Sequence, residues 1–265
     1  MVCWLKAIGG NSRRGGVDDA GLGYDLLPPK TRAIVAKPLA SLYPLLHHQN
    51  VLLRSAYLDR EVAKALGESG SNDSAQSTVV VLGAGFDLRS LRLSSEADAV
   101  RWVEVDLPHV IEQRSRLLGR LARRRPALGP QIEGIEQLAA NLSVASEVDA
   151  TLRAALSPEG AASSGGQGLD QGHAIFVIEA LMIYLQPERA AALLKACADQ
   201  ARAAGAARAT LCFADRLPNM PKLGTNVADA SRVLAQAGFD HDDSVWLPKP
   251  GLARHMGVAR ARWSR

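Results

Sequence analysis

The chain has 265 residues, 47% of them hydrophobic but only 5% aromatic, with a net charge of +4 and a sequence pI near 9.1. That is room for one α/β domain with decoration around an aliphatic, alanine-rich core. Three scattered cysteines, Cys3, Cys197 and Cys212, without C-x-x-C spacing, exclude a disulfide framework and a zinc centre. They point to a reducing, cytoplasmic setting, and no apolar run approaches the ~20 residues of a membrane span.

Residues 1–20 carry Gly, Ser and Arg without periodicity and read as a flexible N-terminus with no h-region or cleavage site. Residues 21–265 read as one domain, a helical extension over 21–77 and a core over 78–265. Within 31–67 the pattern is helical, broken by Pro38 and Pro44. Its best stretch is 50–66, where Leu53, Tyr57, Val62 and Leu66 approximate one face. A strand follows over 78–82, then Gly83-Ala84-Gly85-Phe86-Asp87, and a helix is expected over 88–95. A second short strand ends in Glu104-Val105-Asp106.

Pro108 opens a helix over 107–125. Its basic run, Arg114 to Arg125, reads as a solvated face whose basic end suits the C-terminal dipole; an acidic partner is the alternative, and no nucleic acid is expected. Residues 131–142 hold a third strand or loop ending at Ala140-Asn141-Leu142, and 144–156 a helix. After the low-complexity stretch 157–172 comes a fully buried strand, His173 to Glu179. Pro187 starts a helix that Gly205 stops, 208–214 is a fifth strand, and Gly238 ends a helix over 226–237. Residues 243–248 and 254–262 close as an antiparallel pair. Alternating strand and helix predict a doubly wound, mostly parallel seven-stranded sheet with helices on both faces, an α/β Rossmann-like fold. Gly83, Asp106, Asn141 and Glu179 then share the carboxyl edge of the sheet, where such folds bind ligands.

The glycines choose between nucleosides. A dinucleotide turn wants G-x-G-x-x-G, with a pyrophosphate on the helix N-terminus. Here the third glycine is missing and Asp87 puts a negative charge near the pyrophosphate position. That disfavours NAD and favours a phosphate-free nucleoside such as S-adenosyl-L-methionine, with Asp106 accepting from the ribose hydroxyls. Blander readings stand beside these. The glycines could form an ordinary tight turn, and Asp106 and Asp87 could each cap the helix that follows it. Arg54 could be solvated, Tyr184 could be packing, and His47 and His48 read as a helix-surface pair.

Four blocks, LLRSAYLD, VLGAGFDLRSLRL, WVEVDLPHVIEQR and FVIEALMIYLQPERAAALL, resemble the leucine carboxyl methyltransferase family over roughly residues 45–200. The resemblance implies a class I S-adenosylmethionine-dependent methyltransferase acting on oxygen, most simply a carboxylate. It implies that Arg54 pairs with the methionine carboxylate, with Lys30 nearby, and that Gly83 and Gly85 pass under the methionine moiety. It places Asp106 on the ribose, Asn141 and Leu142 beside the adenine, Asp87 in the cofactor shell and Glu179 near the cofactor amine. The family usually has Asp-Leu where this chain has Asn141-Leu142. Family members also carry a long insertion after the fifth strand, where only Asp215 to Thr225 stands here. The acceptors it implies are the C-terminal leucine carboxylate of a protein phosphatase catalytic subunit or a small-molecule acid. The rival readings are a small-molecule or tRNA-nucleoside methyltransferase of the same family and a non-catalytic cofactor-binding paralogue.

Overall fold

A computed structural model describes residues 45–68, 77–94, 100–157, 172–220, 227–246 and 255–263. Lys30, Pro38, Cys3 and the expected flexible N-terminus lie outside the described residues, as do the side chains of His47 and His48. The described elements run α1 (Leu45–Gly67), β1 (Ser77–Leu82), α2 (Arg89–Leu93), β2 (Val100–Asp106) and α3 (Pro108–Arg124). Then come α4 (Gly129–Glu133), β3 (Ile135–Ala139), α5 (Ala145–Leu156), β4 (His173–Glu179) and α6 (Pro187–Ala203). The chain closes with β5 (Arg208–Asp215), α7 (Val227–Gln236), β6 (Asp240–Trp246) and β7 (His255–Arg262).

The seven strands form one sheet in the order β3-β2-β1-β4-β5-β7-β6. All pairings are parallel except those of β7, which is antiparallel to both neighbours. The expected mostly parallel sheet with a final antiparallel pair is therefore the fold. β1 and β4 lie at its centre, and every residue of β1 is buried. Successive side chains split between two cores, as the period of a strand requires. Val80, Leu82, Val103, Phe176 and Ile178 pack with Leu152, Leu194 and Leu234 of α5, α6 and α7. Val79, Val81, Trp102, Ile175 and Val177 pack with Leu58, Leu91 and Leu118 of α1, α2 and α3. Each such aliphatic side chain contributes about 1.5–3 kcal/mol by leaving water.

Several expected details shift. The buried stripe of α1 runs through Val51, Arg54, Leu58, Val62 and Ala65, so Leu53, one residue off that stripe, stands exposed. A hydrophobicity pattern misses the stripe's centre because an arginine occupies it. The third short strand or loop expected within 131–142 is a strand, Ile135–Ala139, paired with β2 and preceded by the short α4, which was not expected. Arg114 leaves the expected solvated basic face: it is 1% exposed and paired with the equally buried Glu104. The other exposed members of that run keep to the solvent side of α3.

From β1 the chain winds outward through β2 to β3, then returns to β4 on the other flank of β1. This reversal opens a crevice beyond the carboxyl ends of β1 and β4, the switch point of a doubly wound sheet.

Candidate functional site

A cavity of about 370 Å³ occupies that crevice. Four strand ends line it: Gly83 after β1, Asp106 and Leu107 after β2, Ala140 to Ser143 after β3, and Ala180, Leu181, Tyr184 and Leu185 after β4. Gly83, Asp106 and Asn141, three of the four residues expected together on the sheet edge, line this cavity with Leu142, whereas Glu179, the fourth, does not.

The glycine turn is conformationally demanding. Gly83 and Gly85 have φ of +69° and +50°, the left-handed region that L side chains rarely adopt. A Cβ on Gly83 would also stand 3.0 Å from Leu181 Cδ1. The backbone N–H groups of Gly83 and Ala84 both donate to the Val105 carbonyl, at 2.8 and 3.1 Å. This ties the turn to the end of β2.

Asp106 is fixed by main chain alone. Its Oδ2 accepts from Gly85 N at 2.7 Å and its Oδ1 from Leu107 N at 2.7 Å. The helix-cap alternative fails in detail, because Leu107 takes the N-cap position of α3 and makes no side-chain cap bond. Each carboxylate oxygen keeps a second lone pair for a ligand hydroxyl. Behind the turn, Arg114 Nη1 donates to the Gly85 carbonyl at 3.1 Å, while its other nitrogens and Ser90 Oγ hold Glu104. The buried Glu104–Arg114 pair therefore braces the turn from the α3 side.

The remaining expected residues form a second group outside the cavity lining. Arg54 Nε donates to Glu179 Oε1 at 2.7 Å, and Arg89 Nη2 donates to Glu179 Oε2 at 3.0 Å. Arg89 also binds Asp59 Oδ1 through Nε at 2.6 Å and Asp87 through Nη1. Asp87 Oδ1 accepts from Arg89 N at 3.0 Å, so it also serves the start of α2. Arg92 closes the far side on Asp59 Oδ2, at 2.6 Å. Arg89 is fully buried; burial alone would lower its pKa, but Asp87, Asp59 and Glu179 together raise it, so it stays charged. One atom stands apart. Arg54 Nη2 is buried and has no hydrogen-bond partner among the described residues. An orphaned guanidinium nitrogen is costly unless a ligand satisfies it, and a carboxylate is the group it suits.

The segment after β4 is held by a residue that sequence reading passed over. Ala180 has φ of +55°, a conformation that costs a non-glycine residue on the order of 1–3 kcal/mol. Buried Asp215 compensates: its Oδ2 accepts from Leu181 N at 2.5 Å and Met182 N at 2.6 Å, and its Oδ1 from Arg216 N at 2.7 Å. Burial pushes the Asp215 carboxyl up to about 6, against the lowering pull of these N–H groups. A signal existed, since Asp215 ends β5 as Asp106 ends β2 and Glu179 ends β4. Tyr184, read as a packing residue, is instead 81% exposed at the mouth of the cavity. Among the described residues no group of three or more His, Cys, Asp or Glu side chains could hold a metal ion, and no helix is long and apolar enough to cross a membrane.

A glycine turn after β1 that lacks the third glycine and a carboxylate that closes β2 meet at one switch-point cavity, the ligand position of doubly wound α/β sheets. The family model for leucine carboxyl methyltransferase matches residues 31–198, well over half of the chain, and the chain belongs to that family. No curated protein matches it. Among solved structures it is similar to a pericyclic reaction enzyme at 16% identity, covering 76% of this chain and 47% of that one, with a TM-score of 0.42. It is also similar to the magnesium protoporphyrin IX methyltransferase of Synechocystis PCC 6803 with bound S-adenosylmethionine, at 14% identity, 98% and 97% coverage and a TM-score of 0.48. An O-methyltransferase family protein of Burkholderia thailandensis matches at 12% identity, 83% and 61% coverage and a TM-score of 0.45. The chain thus spans less than two thirds of the first and the last of these proteins. The sheet order and the family match, not these distant likenesses, carry the assignment.

Proposed function

We propose that the protein transfers a methyl group from S-adenosylmethionine to a carboxylate oxygen. The observation that carries the cofactor half of this reading is the orphaned Arg54 Nη2, a buried cation with an unspent donor at the same sheet edge as the Asp106 cavity. The two groups match the two ends of an adenosyl amino acid. In this reading Asp106 accepts from the ribose hydroxyls, Asn141 and Leu142 flank the adenine, and the Gly83–Gly85 turn admits the chain that joins adenosine to the amino acid. Arg54 holds the tail carboxylate, and Glu179, 10% exposed, lies near enough to its partner Arg54 to meet the tail amine. Asp87 belongs to the outer part of the same shell, and a role for Lys30 near the tail rests on the family resemblance alone.

The sulfonium of the bound cofactor supplies an already activated methyl group. What remains for the protein is to align the acceptor and exclude water. Among the described residues lining the cavity, the titratable side chains are Asp106 and Tyr184. Asp106 is committed to the turn, which leaves no evident general base beside Tyr184. A carboxylate acceptor needs none, being ionised at neutral pH. That favours an ester product over an ether. The acceptor is then a small-molecule acid or the C-terminal leucine carboxylate of a protein phosphatase catalytic subunit, in a cytoplasmic setting consistent with the buried free thiols of Cys197 and Cys212. The short link from β5 to α7 favours the smaller acceptor, because little chain is available there to grip a protein tail.

The test is methyl transfer from radiolabelled S-adenosylmethionine to a cell extract, followed by mild base. Volatile labelled methanol is the expected result. Base-stable label would reject the carboxylate but keep the methyltransferase, and cofactor binding without any transfer would favour a non-catalytic module.

A further inference from the structure

We propose that Arg89, which does not line the cavity, is a positioning residue that keeps Arg54 available for the cofactor's carboxylate. The inference rests on the reading that Arg54 holds that tail. A guanidinium facing a lone carboxylate prefers two parallel N–H···O contacts. Arg54 makes one to Glu179, through Nε at 2.7 Å, and leaves the buried Nη2 unsatisfied. The structure supplies the reason. Arg89 Nη2, at 3.0 Å, holds Glu179 Oε2, the oxygen that a second Arg54 contact would use, turned toward itself.

Arg89 is itself immobilised, so it cannot surrender that oxygen. Its Nε is on Asp59 Oδ1 at 2.6 Å and its Nη1 on Asp87. Asp59 is fixed from its other side by Arg92 Nε and Nη2, at 3.1 and 2.6 Å. Three elements thus converge on one side chain: α1 through Asp59, the turn after β1 through Asp87, and the end of β4 through Glu179. Glu179 is stretched between two arginines rather than chelated by one. A lysine at position 89 could not reproduce this, because one compact ammonium lacks the planar fork that reaches three carboxylates at once. Freed from Arg89, Glu179 would turn its second oxygen to Arg54 Nη2 and occupy the donor meant for the ligand.

The test is calorimetric titration of S-adenosylhomocysteine, which has the amino-acid tail, and methylthioadenosine, which lacks it, into the wild-type protein, Arg54→Ala and Arg89→Lys. For Arg89→Lys the expected result is a loss of about tenfold or more for S-adenosylhomocysteine and about twofold or less for methylthioadenosine, the scale of one hydrogen bond to a charged group. A purely structural role would weaken both ligands together. Equal losses, or none, in a folded Arg89→Lys protein would overturn the inference if Arg54→Ala still discriminates the two ligands. Failure of Arg54→Ala to discriminate would instead overturn the tail reading itself. Should Arg89→Lys not fold, arginine side-chain NMR on the wild-type protein decides. Arg54 signals should move with S-adenosylhomocysteine but not with methylthioadenosine while Arg89 signals stay in place; Arg89 signals that move as far as those of Arg54 would overturn the inference.

Discussion

The two ends of the proposed cofactor site, one for the ribose and one for the amino-acid tail, are built from opposite materials. At the ribose end one carboxylate, Asp106, is held by two backbone N–H groups and opens onto a cavity. At the tail end three arginines and three carboxylates, Arg54, Arg89, Arg92, Asp59, Asp87 and Glu179, hold one another almost out of water. Main-chain donors come with the fold, so the ribose end tolerates loss of its side chain. A buried network of matched charges does not, because removing one member strands its partners in a medium that solvates them poorly. Changes at the ribose end should therefore alter binding, and changes at the tail end should alter binding and stability together.

The largest expected effect is on the network. Arg89→Met leaves Asp59, Asp87 and Glu179 facing one cation fewer. It should destabilise the protein by about 3–5 kcal/mol, the usual cost of breaking a buried pair from one side. Urea denaturation reads this directly, and a change below about 1 kcal/mol would mean that water reaches the network and the contrast between the two ends is false.

Asp106→Ala should leave the urea midpoint close to the wild-type value while weakening S-adenosylhomocysteine by about 1–3 kcal/mol. The turn keeps its anchors on the Val105 carbonyl and Arg114. Unchanged affinity in the folded variant would remove Asp106 from the site.

The other end of β4 supplies a contrast within a single strand. Glu179 closes it amid charges, whereas His173 opens it buried and bonded to Thr210 Oγ1 at 2.8 Å. Burial first, and then the Arg208 charge, push the His173 pKa down from 6.5 to about 3. The folded state thus resists protonation that the unfolded chain accepts. Its contribution is complete above pH 6.5 and shrinks as pH falls toward 3, by about 1.4 kcal/mol per pH unit. His173→Gln should flatten that part of the stability profile; an unaltered slope would place the acid sensitivity elsewhere.

The smallest effect expected is that of Gly83→Ala. The +69° φ and the 3.0 Å approach to Leu181 predict a stability loss of roughly 1–2 kcal/mol, with weaker cofactor binding as Leu181 shifts into the cavity. Unaltered melting and binding would show that the turn relaxes freely.

The meeting of Gly83, Gly85 and Asp106 was legible in the sequence and the charged cluster around Glu179 only in part. Gly83, Gly85 and Asp106 announce themselves because a strand, a turn and a second strand tip keep them within a short stretch of chain. Arg54 and Glu179 are 125 positions apart, and only the resemblance to a family brought them together. Arg89 lies within a matching block, yet nothing local distinguishes it from the exposed arginines of α3. Its partners come from α1, the turn and β4, and burial of a guanidinium is decided by that tertiary meeting. Arg114 misled for the same reason, since a basic run looks solvated until one member finds Glu104. The strand and helix pattern fared better because each element carries its own period, and the errors fell at α4 and at the arginine-centred stripe of α1.

The most direct test of the account is a calorimetric titration of the purified full chain with S-adenosylhomocysteine and, separately, with NADH. The account predicts saturable binding of S-adenosylhomocysteine and no binding heat from NADH. Saturable NADH binding with no S-adenosylhomocysteine signal would contradict it.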